Sequence, residues 1–104
     1  MTVADWLRER DPAPPARLAA RIETAIGGRL ADPAANAAEV CLEACESLLA
    51  DVAGRASQGR EAALDLLAAD ALATYALEAA ADTPTTLEAR ALDAMKRLTA
   101  IAGG

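Results

Sequence analysis

Alanine occupies 30 of the 104 positions, in stretches where β-branched and aromatic residues are scarce. That feature confines the chain to helices. Alanine loses no side-chain entropy in a helix, and it offers a pleated strand almost nothing to pack with. No segment alternates apolar and polar residues as a half-buried strand would. Proline and glycine punctuate the stretches, and the pattern predicts an all-α chain of five helices.

The first helix is short, residues 3–10, with Thr2 as its cap and Asp5 in its first turn. It stops at a Pro-rich break over 11–15, Asp11-Pro12-Ala13-Pro14-Pro15, which cannot continue a helix. The second covers 15–26, carries Leu18, Ile22, Ala25 and Ile26 at helical spacing, and ends at Gly27-Gly28. The third covers 33–53, with Asp32 as cap and Pro33 in the first helical position. Its apolar face is Val40, Cys41, Ala44, Cys45, Leu48, Leu49 and Val52. The fourth covers 58–81 behind Ser57 as cap. The fifth covers 84–102, opened by Thr83-Pro84 or by a Thr85–Glu88 capping box, with the stripe Leu87, Ala91, Met95, Leu98 and Ile101 or Ala102. Short connections favour antiparallel neighbours. The expectation is one domain over 1–104, an antiparallel up-down four-helix bundle with a short extra N-terminal helix packed on it.

The fourth helix differs from the rest. At 100° per residue, Leu64, Ala68, Leu72 and Tyr75 share one side and Leu66 and Leu77 lie nearly opposite. Ala62, Ala69, Ala73, Ala76 and Ala80 fill another sector. A helix apolar nearly all round is buried on several sides, which makes this one the central element. Helices two, three and five supply one apolar stripe each, so the alanine sector is left over. A second copy fits there, because small side chains allow close approach. A homodimer through Ala69, Ala73, Ala76 and Ala80 follows as an expectation.

Charge excludes several functions. With 10 basic and 16 acidic residues the net charge is -6. Phosphate backbones and anionic lipid surfaces need clustered Lys and Arg, so neither nucleic acid nor a membrane is an expected partner. No run reaches the ~20 apolar residues of a membrane span. The N-terminus carries charge where a signal peptide is apolar. Two cysteines without an export signal point to a cytoplasmic protein with free thiols.

The absence of histidine removes the commonest general base and metal ligand, and with it serine-type triads and HExxH zinc sites. No phosphate-cradling glycine loop is present. Two clusters remain. Cys41 and Cys45, four apart, stack on one helix face and are weak candidates for a soft metal or a redox pair; no further Cys or His completes a zinc site, and the plainer reading is core packing. Asp70, Thr74 and Glu78 form an i, i+4, i+8 strip beside Tyr75, a candidate ligand-binding site if buried and a solvated edge otherwise. Asp65 reads most simply as a surface acid, though it lies near the Leu72 side. Trp6 reads as docked on the bundle, with a partner anchor as the alternative.

The stretch Leu67 to Glu78 is similar to a helix of isoprenyl diphosphate synthases, with Ala69 and Leu77 where those enzymes have Gly and Phe. The Asp-rich motifs that hold magnesium and diphosphate in that family are missing, so the resemblance implies no activity here. The sequence therefore points away from an enzyme. It favours a non-catalytic helical interaction or scaffold protein, self-associating or with a protein partner and without cofactor. The alternatives are a small-molecule binder around the fourth helix and a Cys-based metal or redox sensor.

Overall fold

A computed structural model describes residues 1–54, 59–82 and 84–103, with the side chains of all these except 84–91 and 103. Every regular element in it is helical: α1 (Val3–Arg8), α2 (Ala16–Ile26), two 3₁₀ turns (Gly27–Ala31 and Ala34–Asn36), α3 (Ala37–Gly54), α4 (Arg60–Ala81) and α5 (Pro84–Gly103). Among the described residues no helix is long and apolar enough to cross a membrane.

Local chemistry sets several boundaries. Thr2 and Asp5 form a reciprocal capping box: the Asp5 N–H donates to the Thr2 hydroxyl at 3.2 Å and the Thr2 N–H to the Asp5 carboxylate at 2.9 Å. Those bonds hold the Asp5 carboxyl below its usual range. Gly27 ends α2 at φ 62°, a left-handed conformation that penalises any residue with a Cβ. The caps expected at Ser57 and Thr83 lie outside the described residues, as do the side chains of Thr85, Leu87, Glu88 and Ala91.

The third helix starts later than expected. Asp32 does not cap it; its carboxylate takes the Arg29 guanidinium at 2.9 Å. Its carbonyl accepts from the Val3 N–H at 2.8 Å, and the Ala34 N–H donates to the Met1 carbonyl at 3.1 Å. Pairing with the N-terminus holds Asp32 and Pro33 extended, and a 3₁₀ turn over Ala34–Asn36 defers α3 to Ala37. A long-range contact thus overrides a local start signal.

α3 and α4 make the most extensive contact in the molecule, and α2 and α5 each pack against both of them. α1 rests on the 3₁₀ turns and on α3. The core explains the closeness of the α3/α4 pair. From α4 it takes Ala68, Ala69, Leu72, Ala76, Ala79 and Ala80; from α3 it takes Val40, Cys41, Leu42, Ala44, Cys45 and Leu48. Alanines let two backbones approach, and the larger α3 side chains fill the space they leave. Ile22 and Ile26 of α2 and Val3 and Trp6 of α1 complete it. Trp6 packs inside the chain, edge-on to Tyr75 with ring centroids 6.2 Å apart, as the docked reading expects.

Arginines clamp the outer pieces to this pair. Arg21 on α2 meets Asp65 on α4 at 2.6 Å, and Arg10 meets Glu78 on α4 at 3.3 Å. Arg29 pairs with Glu43 on α3, and Arg97 on α5 with Glu39 and Glu46 on α3. Asp65 is therefore no surface acid. It is 4% exposed and turned inward to a guanidinium; the periodicity of α4 puts it near the Leu72 side but does not show the partner that lets an acid stay there.

Candidate functional site

Cys41 and Cys45 are buried, with free thiols. Burial pushes the Cys41 thiol up to about 12. Burial, then the neighbouring Glu46 and Asp70 carboxylates, raises Cys45 as well, and its Sγ–H donates to the Ala69 carbonyl at 3.2 Å. Such thiols stay protonated and unreactive at neutral pH. Among the described residues no group of three His, Cys, Asp or Glu side chains is placed to hold a metal ion.

The strip on α4 is solvated. Asp70, Thr74 and Glu78 are exposed, and Tyr75 is half-buried. The Thr74 hydroxyl donates back to the Asp70 carbonyl at 3.1 Å, an i−4 bond common on helix surfaces. Thr74, Tyr75 and Glu78 border a hollow of about 240 Å³ with Arg10, Asp11 and Pro12, and Asp70 lies outside it. Its cation is already engaged. The Arg10 guanidinium stacks on the Trp6 ring at 3.8 Å, its Nε–H donates to the Trp6 carbonyl at 3.2 Å, and it pairs with Glu78. Burial and then the Glu78 charge raise the Tyr75 hydroxyl, so it remains a neutral phenol across the physiological range.

The alanine sector is shared between the core and an open surface. Ala69, Ala76 and Ala80 are buried within the chain, Ala73 and Ala62 half-buried. What α4 leaves uncovered is leucine: Leu66, Leu67 and Leu77 are each about half exposed or more. The physical reason is size. Small residues permit the closest helix contact and are taken by α3 and α5; of the α4 leucines only Leu72 is buried, and Leu66, Leu67 and Leu77 are left outward.

Across α4 from Tyr75, the structure opens an apolar groove of about 210 Å³ between α3, α4 and α5. Ala73, Ala76 and Ala80 belong to its lining, together with Ala38, Leu42, Ala94 and Leu98. Leu77, 52% exposed, and Met95, 65% exposed, also line it. Glu39 and Asp93 are its acidic residues. Both reach Arg97, at 3.0 and 3.4 Å, and Glu46 takes the same guanidinium from α3. Partial burial pulls the Arg97 pKa down, but the hydrogen bonds from Glu46 and Glu39 outweigh it and the net displacement is upward. Three carboxylates thus share one cation. The periodicity of α5 assigns Met95 to a buried stripe; the groove leaves it open instead. The sequence signal that marks this site is Leu77, on the side of α4 away from Leu72, beside the alanine sector of Ala73, Ala76 and Ala80.

Comparison with protein-family models, curated proteins and solved structures gives no match for this chain.

Proposed function

We propose that this chain is a non-catalytic helical interaction protein whose contact surface is the groove between α3, α4 and α5. One observation carries the reading. Leu77 and Met95 stand largely exposed beside a concave surface lined almost wholly by carbon. Each ~100 Å² of apolar surface removed from water is worth about 2.5 kcal/mol, so such a groove favours being covered. Self-association is one use of it, with Leu77 and Met95 presented beside the small Ala73, Ala76 and Ala80. The buried, protonated thiols suit a reducing compartment such as the cytoplasm.

Methionine oxidation tests the reading directly. Met95 should react with dilute peroxide about as fast as Met1, which is 70% exposed, when the protein is dilute. Protection of Met95 in dilute protein would mean that the groove is closed in solution, and the reading would fall. Protection that grows with protein concentration would show copies covering it.

The small-molecule alternative retains one observation in its favour, the shared hollow of Thr74, Tyr75 and Glu78. A ligand there has to displace Glu78 from Arg10. Glu78→Gln should therefore strengthen any anionic ligand retained in native mass spectrometry, and no retained ligand in either form removes this alternative.

A further inference from the structure

Resting on that reading, we propose that the groove is a docking site for an amphipathic helix of another protein, apolar on one face and carrying Lys or Arg along its edges.

Volume, shape and charge each narrow the occupant. The groove holds about 210 Å³. That exceeds the ~150 Å³ of a cavity that accepts benzene but falls short of the roughly 300–1,000 Å³ of pockets that enclose whole ligands. It therefore accepts one or two apolar side chains presented from outside. Ala73, Ala76 and Ala80 keep the α4 side of the groove shallow, so a helix laid across it brings its backbone close, and Leu77 and the pliable Met95 flank the inserted anchors. Charge then selects among partners that meet those demands. Glu39 and Asp93 line the groove and, with Glu46, share the one Arg97 guanidinium, so the described carboxylates exceed the cation they surround. Lys96 is exposed on α5 but is not among the groove's lining residues. A second copy of this chain, itself at net charge -6, brings its own acids to that lip. A helix edged with Lys or Arg brings the complement.

Two synthetic peptides test this against the full chain. Each is about 18 residues long, enough to be helical. Both carry Leu at i, i+3, i+4 and i+7 and Ala on the far face; along the edges of the Leu face one has Lys and the other Glu. Binding is followed by titration calorimetry at low and high salt. The Lys peptide should bind at least about tenfold tighter than the Glu peptide at low salt, with the advantage shrinking as salt screens it. Leu77→Asn with Met95→Asn, which leaves the charge unchanged, should weaken the Lys peptide about tenfold. Glu39→Gln with Asp93→Asn should weaken it several-fold. Far-UV circular dichroism and the emission of Trp6, on the other side of α4, serve as folding controls. Equal affinity for the two peptides would overturn the basic-helix proposal and leave the groove reading standing. So would a wild-type dimer that Leu77→Asn with Met95→Asn dissociates. Lys-peptide binding indifferent to those two neutral substitutions would place it on the general acidic surface and overturn the proposal. Protection of Met95 in dilute protein would remove both.

Discussion

At the scale of single residues, the informative positions are polar or reactive groups that the fold has taken out of water. Asp65 keeps its charge inside because Arg21 meets it at 2.6 Å. Replacing Arg21 by Met should destabilise the protein by about 1–3 kcal/mol, since a buried acceptor loses a charged donor. Adding Asp65→Leu should recover much of that loss, because an apolar pair of similar volume needs no solvation. Urea midpoints of the two single variants and the double variant measure the coupling; additive losses would count against a clamp. Cys41 makes a pH prediction. Its folded pKa is raised, from 9.0 to about 12, so the unfolded chain releases this proton first as pH climbs. The stabilisation is complete below about pH 9 and is lost as pH rises toward 12. Cys41→Ala should flatten that alkaline decline in thermal midpoint. Together with Cys45→Ala it should cost about 1–3 kcal/mol at neutral pH for lost volume. A double variant as stable as the parent would show that neither thiol fills the core.

At the scale of elements, short-range signals succeed where nothing distant competes with them. Gly27 stops α2 because the chain must turn left-handed at φ 62°. No atom lies within 4 Å of the position a Cβ would take there, so Gly27→Ala tests conformation alone. It should cost about 1–2 kcal/mol in thermal or denaturant unfolding, and a neutral effect would mean that the turn is not held in that conformation. At Asp32 and Pro33 an equally good helix-start signal fails. Those residues pair with the N-terminal segment Met1 to Val3, and two backbone hydrogen bonds outweigh one cap. The alanines of α4 follow the same logic. A stripe of small residues is where neighbouring helices approach most closely, so it is covered first. Cover is not complete: Ala73, Ala76 and Ala80 also border the open groove, with Leu77 beside them.

At the scale of the whole molecule, four arginines fasten the outer segments to α3 and α4, and the carboxylates that remain dominate the surface. Self-repulsion follows at low ionic strength. If the groove serves a basic helix from another chain, sedimentation velocity should find a monomer at about 10 μM in low salt, with at most weak association once salt screens the charge. A stable dimer at low salt would place a second copy in the groove and return the self-associating scaffold to first place.

The all-helical class and the five helices were legible in the sequence, because alanine content, glycine stops and proline breaks act within a few residues of themselves. The inward turn of Val40, Cys41, Ala44, Cys45 and Leu48 was legible for the same reason: a 3.6-residue period needs no knowledge of the partner. The partner's identity was not. Which sector of α4 is covered, which stripe residue of α5 stays open and which acid is buried all depend on how closely two helices approach. That distance is decided by side chains far apart in sequence. Asp65 lies on the Leu72 side by its helical period, and it keeps its charge inside because Arg21, 44 residues away, arrives beside it. Met95 stays outside because Ala73, Ala76 and Ala80 leave a groove there rather than a filled contact. Local periodicity determined the helices; the tertiary structure alone decided the open surface between them, since exposure is a property of pairs of elements and not of any one.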